Sequence, residues 1–350
     1  MFAGLPDAVL VTMIGGVTGL ALGLAARLGR FCTLGAIEDR TYGGSSVRMR
    51  MWGIAIGVTL VMVFAALKLG WFDPTEAFYL NYKWLPWQSV IGGGLFGYGM
   101  ALAGNCGYGA LARLGGGDLR SFLIVVVLGI SAYATLSGPT AFIFDTVFPR
   151  IPAEHPQSYA YLAERLTGID AAWFGILAGL AILTYTLSDQ EMRQDRSAIL
   201  WGAVVGLAIA GGWIGTHYVS NHGFEVTPVV SHNFSAPIGE TMLWLMLGEN
   251  HAPTFAIGSV IGVWSGALIG SFMLGHFRWE ACEDPRELRR QIYGAIMMGA
   301  GAVIAMGCTI GQGITAFGLL SYSAPVTMVS IYFGAAFGLR HLIEGFEIAD

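Results

Sequence analysis

The sequence predicts an all-α polytopic membrane protein, with about nine transmembrane helices, short re-entrant helices and an inverted 4+1+4 repeat. Three observations lead there. Charged residues make up 12% of the 350 residues, about half the ~25% of a soluble chain, and the mean hydropathy is +0.62. Glycine, at 51 residues, is roughly twice its usual ~7% share, which suits close helix packing and broken helices. Apolar runs recur near the ~20 residues that a bilayer core requires.

Nine runs are readable: 8–28, 51–71, 88–112, 121–144, 171–188, 198–217, 254–276, 292–316 and 324–341. The first is not a secretory signal, because Asp7 precedes it and its basic residues follow it. The joints after runs 1, 3, 5, 7 and 9 hold fourteen basic residues, among them Arg27, Arg30, Arg40, Arg48, Arg50, Arg113 and Arg120. The other joints hold four: Lys68, Lys83, Arg150 and Arg165. That bias predicts an external N-terminus and a cytoplasmic C-terminus.

Several classes are excluded. A net charge of −5 with no basic tract offers nothing to nucleic acid. The only lysines, Lys68 and Lys83, follow no phosphate-loop glycines, and no GxSxG elbow occurs. Four cysteines form neither a CxxC pair nor a zinc spacing, so no metal or other cofactor is expected. No run carries Asp, Glu, Lys or Arg in its interior, which argues against a carboxylate-driven pump.

"GYGMALAGNCGYG" (97–109) matches "GAGAVIAMGCTIG" (299–311) at two leading glycines, an alanine, the cysteine and the closing glycine. These segments lie five runs apart and so cross in opposite senses. "GGVTGLA" (15–21) and "GAVVGLA" (202–208) repeat the same offset of five runs. The predicted division is a first half over 1–145, an external segment and connector span over 146–197, and an inverted second half over 198–350. Inverted repeats are a transporter signature, with substrate near the midplane where broken helices meet.

The breaks are built from Gly104, Asn105, Gly107 and Gly109 around Cys106, and from Gly307 and Gly311 around Cys308. A break inside a membrane is tolerated where it lines a cavity, and half-helix N-termini favour anions. A thiol there is a neutral, soft, weak donor, suited to an anion that sulfur can contact without trapping it. Cys32, in "GRFCTLGAIEDR" (29–40), begins an apolar stretch that can re-enter the membrane, and 232–247 is its counterpart without a cysteine. Two such converging segments would plug the centre and leave a basin on each side.

On Gly29-Arg30 with Cys32, Ala103-Gly104 with Cys106, and Gly307-Cys308 with Ile310-Gly311, the chain resembles the YeeE/YedE family of bacterial sulfur-compound transporters over nearly its whole length. The resemblance implies an hourglass of nine spans plus short central helices in the bacterial inner membrane. It also implies thiosulfate uptake through a relay of Cys32, Cys106 and Cys308 by S–H···S hydrogen bonds, and a small TusA-like sulfur carrier as cytoplasmic partner, docked at arginine-rich inner loops. The family's Arg-Asp after the first cysteine is here Glu38-Asp39-Arg40, and Asn105 follows Gly104, which leaves room for another sulfur or selenium species.

A membrane thiol redox enzyme or sulfurtransferase, with covalent persulfides, is the alternative. It needs a cation beside the thiol, and none neighbours Cys106 or Cys308 in sequence, so a non-enzymatic transporter is the expectation. A purely structural membrane subunit fits the buried breaks poorly. Glu38, Asp39 and Glu240 on the plug segments are read as solvated positions, with gating as the sharper option. His217, His222, His232 and His251 are read as surface or interfacial. Cys282, in a charged loop, is read as a reduced surface thiol, and 153–168 as an amphipathic stretch along the outer surface, beside lipid.

Overall fold

The computed structural model describes residues 6–248, 252–281 and 284–344, which form helices and connecting turns with only isolated β-bridges. Among the described residues, six helices are long and apolar enough to cross a membrane: Asp7–Leu28, Val47–Lys68, Leu119–Ser137, Arg196–His222, Phe255–Met273 and Ser323–Ile343. Ala171–Leu187 is a shorter apolar helix. The runs predicted at 88–112 and 292–316 are each divided. Pro86–Ala103 is followed by Gly107–Gly115. Pro285–Ile304 is followed by a turn from Thr309 that passes into the π-helix Gly311–Ala316.

Several boundaries differ from the sequence reading, two of them for a visible reason. The second helix begins at Val47 rather than 51, because Arg48 pairs with Asp39 at 3.0 Å and Arg50 with Asp189 at 3.5 Å, so both cations can sit in its first turn. The fourth helix ends at Ser137. Gly138 is held extended before Pro139, as the residue before proline prefers, and a separate short helix, Ala141–Val147, follows. The amphipathic stretch is helical only over Tyr159–Thr167, where the Ser158 side chain caps the Ala160 N–H. Its Tyr159, Leu162 and Leu166 are exposed.

Helix packing runs in matched pairs. Asp7–Leu28 packs on Phe255–Met273 as Arg196–His222 packs on Val47–Lys68. Pro86–Ala103 packs on Ser323–Ile343 as Pro285–Ile304 packs on Leu119–Ser137. The two broken helices also touch each other, as do Asp7–Leu28 and Arg196–His222. Both predicted central segments are helical, over Thr33–Glu38 and Ala236–Leu247. They take corresponding places, the first on Val47–Lys68 and Ser323–Ile343, the second on Phe255–Met273 and Leu119–Ser137.

Glycines set how closely these pairs approach. Built onto Gly258, Gly262 or Gly266, a Cβ would run into the carbonyl oxygens of Thr12, Gly16 and Leu20 on the Asp7–Leu28 helix. Reciprocally, one on Gly15, Gly19 or Gly23 would strike the carbonyls of Phe255, Ser259 and Val263. The contact is therefore backbone on backbone, with no side chain between, as membrane helices with small residues at every fourth position allow.

The connections segregate to two ends. At one, Arg120 reaches Glu280 and Glu287, and Ser45 donates to Glu191. At the other, Ser158 donates to the Leu319 carbonyl and Asp7 accepts from the N–H groups of Phe224 and Glu225. Lys68 also pairs with Asp170 there, and that hydrogen bond holds the Asp170 carboxyl below its ordinary range. Joint 3 thus meets joint 7, and joint 1 meets joint 5.

Two of the four histidines depart from the surface reading. His232 is fully buried, its Nδ1 2.6 Å from Ser259 Oγ and its Nε2 2.9 Å from Thr18 Oγ1. His217 is 8% exposed and accepts the Asp73 N–H. Each finds hydroxyl, backbone or amide partners inside, which removes the cost that would keep an imidazole at the surface. His222 is exposed. His251 and Cys282 lie outside the described residues.

Candidate functional site

Three cysteines sit in the same local structure. Two residues before each, the chain turns through the left-handed region: Arg30 at φ 53°, Gly104 at 75° and Met306 at 58°. Glycine enters that region freely, whereas arginine and methionine do so only where the surroundings impose it. The reversal closes the preceding helix. After Met306, for instance, the N–H of Gly307 bonds the Ala302 carbonyl at 2.8 Å while the Met306 N–H bonds Val303, the pairing of a Schellman C-cap.

Each cysteine then opens the next helix as its N-cap. The cysteine carbonyls accept from Ala36, Ala110 and Gln312 at 3.1, 2.8 and 2.8 Å. Their sulfurs accept the N–H of the third residue on, Gly35 at 3.5 Å, Gly109 at 3.4 Å and Gly311 at 3.4 Å. Ser, Thr, Asp and Asn usually fill this place. A thiol there spends its lone pairs on the backbone and keeps its S–H to offer elsewhere. Two of the three turns run on into π-helix, Asp39–Gly43 after Cys32 and Gly311–Ala316 after Cys308, a form concentrated at functional sites.

A break of this kind frees backbone N–H groups that have no partner within the helix. The sulfurs occupy one N–H apiece, and Cys308 Sγ takes a second, from Phe234 at 3.3 Å. Cys106 and Cys308 are each 1% exposed and Cys32 is half-buried. The three are linked through their neighbours: Phe234 gives its N–H to the Cys308 sulfur and sets its carbonyl against Gly107, and Tyr108 meets Phe31, next to Cys32. Asn105 is buried with Oδ1 3.3 Å from where a Cβ on Gly109 would stand. Gly107 faces the Phe234 carbonyl, which any side chain would strike. Asn233 Oδ1 takes the Cys308 N–H at 3.4 Å. The groups around Cys106 and Cys308 are thus uncharged.

Two cavities reach residues next to these cysteines. One, about 590 Å³, reaches Gly307, Asn233 and Ser235 and carries Arg150, Glu225 and Glu240. The other, about 500 Å³, starts at Thr33 and Trp52 and carries Arg40, Ser46 and Arg50. None of the three described cysteines lines either cavity, though Thr33 and Gly307, their chain neighbours, do. Glu240 accepts from Thr254 Oγ1 at 2.6 Å, and Asp39 is paired to Arg48.

Three features escaped the sequence. The Arg48 guanidinium lies against Gly35, where any Cβ would collide with it, one turn from Cys32. Tyr79 arrives from a distant joint, its hydroxyl 3.1 Å from the Cβ position of Gly311. Ser235 stands before the Ala236–Leu247 helix as Cys32 stands before Thr33–Glu38. For Ser235 a signal existed: Phe31-Cys32 and Phe234-Ser235 align, and both phenylalanines pack on Tyr108.

The sequence pattern of a family described as Sulphur transport matches residues 28–337. The chain is 23% identical over 342 residues to a protein of Escherichia coli (strain K12) named thiosulfate transporter TsuA, covering 91% of each chain. It is 24% identical over 330 residues to a thiosulfate transporter TsuA of Spirochaeta thermophila, covering 91% of this chain and 94% of that one. This multi-pass membrane protein belongs to the sulphur-transport family, the YeeE/YedE proteins.

Proposed function

We propose that the protein carries thiosulfate across the bacterial inner membrane, and that Cys32, Cys106 and Cys308 pass it along by S–H···S hydrogen bonds. One observation supports the reading: three thiols are each fixed as a helix N-cap, and one cavity ends at Thr33, next to Cys32, while another ends at Gly307, next to Cys308. An N-terminal helix end favours an anion, and a soft neutral donor holds it without the depth of a fixed charge. The matched pairs in the packing support the inverted repeat of 1–145 and 198–350. Ser235 is then the fourth, hydroxyl-bearing position of that symmetry.

Labelled thiosulfate is expected to enter proteoliposomes containing this protein alone. Unlabelled thiosulfate should compete at least tenfold better than sulfate, which offers no terminal sulfur to the thiols. Equal competition would show that the cysteines do not read the substrate.

The cavity with Arg40 and Arg50 faces the cytoplasm on this reading, where the arginine-rich joints would dock a TusA-like carrier. A reporter placed after Asp350 should therefore read cytoplasmic, and one inserted between Glu154 and His155 external. The reverse pattern at both points would refute this orientation, and a same-side reading at both would refute the nine-crossing topology.

A further inference from the structure

Buried polar side chains without a hydrogen-bond partner are rare in native proteins, and four of them gather around the thiols. Thr309 follows Cys308 and is fully buried, and its Oγ1 has only the weak Cys106 thiol beside it. Tyr79 is 5% exposed with an unpaired hydroxyl close to Gly311 and Cys308. Thr33 follows Cys32, and its hydroxyl is likewise unpaired and buried. Trp52 stacks on Phe31 at 4.8 Å and leaves Nε1 unbonded. The helical position explains the threonines. Within a helix, a threonine hydroxyl back-bonds the carbonyl four residues earlier, but Thr33 and Thr309 are the first residues of their helices, where no such carbonyl exists.

All four are neutral donors, and an anion with both sulfur and oxygen needs two kinds of partner. Thiols suit its terminal sulfur. Hydroxyl and indole N–H groups suit its oxygens, at the 2.6–3.0 Å scale that O–H···O⁻ and N–H···O⁻ bonds prefer. We propose that Tyr79 and Thr309 on the Cys308 side, and Trp52 and Thr33 on the Cys32 side, bind the oxygen atoms of the transported sulfur anion. This rests on the thiosulfate reading above and adds to it the residues that hold the sulfonate end. A hydrogen bond to the anion would offset the desolvation cost that each buried donor bears.

The test uses Tyr79→Phe and Thr309→Val in the full chain, with Thr309→Ser as the conservative partner. Thiosulfate affinity in detergent and uptake KM in proteoliposomes are measured beside the melting midpoint. Removing an unpartnered buried hydroxyl is expected to leave the melting midpoint unchanged or higher, since an apolar group replaces an unsatisfied one. Losing a hydrogen bond to an anion should weaken binding and raise KM about tenfold or more, and Thr309→Ser should stay within about twofold of wild type. A fallen melting midpoint would mean that the hydroxyl is bonded within the protein, and overturns the assignment. So does a wild-type KM in both Tyr79→Phe and Thr309→Val, while leaving the thiosulfate reading intact. No uptake by the wild-type protein overturns both.

Discussion

Cys106→Ser is expected to abolish thiosulfate uptake while leaving the protein as stable as wild type, or more so. The two effects separate because the sulfur does two things. As an N-cap it accepts the Gly109 N–H at 3.4 Å, and there serine is the better residue, with Ser-to-Ala losses at caps of about 1 kcal/mol. A serine oxygen would bind that N–H tightly. As a relay group, however, the thiol offers a soft, weakly solvated donor to a sulfur anion, and a hydroxyl does not. Cys106→Ala removes cap and donor together and should lose uptake and about 1 kcal/mol. Cys308→Ala should follow it, with the Phe234 N–H also left without its acceptor. Uptake in proteoliposomes and melting in detergent check both axes. Transport by Cys106→Ala at the wild-type rate would reduce the thiol to packing. A persulfide adduct on wild-type protein after thiosulfate exposure, seen by mass spectrometry, would replace the relay with covalent sulfur transfer.

Gly262→Val should give the largest loss of stability. Its Cβ would stand inside contact distance of the Gly16 carbonyl, so the Asp7–Leu28 and Phe255–Met273 helices must part along their whole interlocked face. Overpacking costs ~1–3 kcal/mol where side chains can adjust, and here only backbone is available to move. We expect the melting midpoint to fall by roughly 5 °C or more, with less monodisperse protein recovered. Gly16→Ala is the control: its added carbon meets nothing nearer than the Gly258 carbonyl at 3.9 Å, and it removes a helix-interior glycine, worth about 0.5–1 kcal/mol in the other direction. Equal melting of Gly262→Val and Gly16→Ala would show that the two helices are not held at this spacing.

Much of the architecture was legible because lipid makes strict demands. Spans announce themselves by length, and a Gly-Asn-Cys-Gly run inside one could only be a break. The two plug segments were legible for the same reason, being apolar yet too short to cross. What stayed hidden was conformation without a compositional mark. Arg30 and Met306 take up the turn that Gly104 performs by type, and nothing in their identity announces it. Cysteine is not a habitual cap, so three N-caps spaced Cys-x-x-Gly read only as three thiols. His232 and Tyr79 come from joints rich in polar residues, and their burial depends on partners far away in sequence, Thr18 and Ser259 for the first and the Gly311 turn for the second. Arg48 was assigned to a loop because it lies beyond the apolar run; its pairing with Asp39 draws it into the helix and against Gly35.

Helices locked backbone to backbone also bear on energetics. On the proposed reading, a path whose walls stay fixed contains no ratchet, so it lets its substrate run in whichever direction the electrochemical gradient points. Thiosulfate is a dianion, and the interior of a bacterium is electrically negative. Each charge moved inward against 100 mV costs about 2.3 kcal/mol, so two cost about 4.6 kcal/mol, or roughly three powers of ten in concentration. Left to itself, the path would hold the cytoplasmic pool some thousandfold below the external one. Useful import therefore demands either cations travelling with the anion or a cytoplasmic reaction that removes it on arrival, and the second needs only that the inner mouth deliver thiosulfate directly to its consumer.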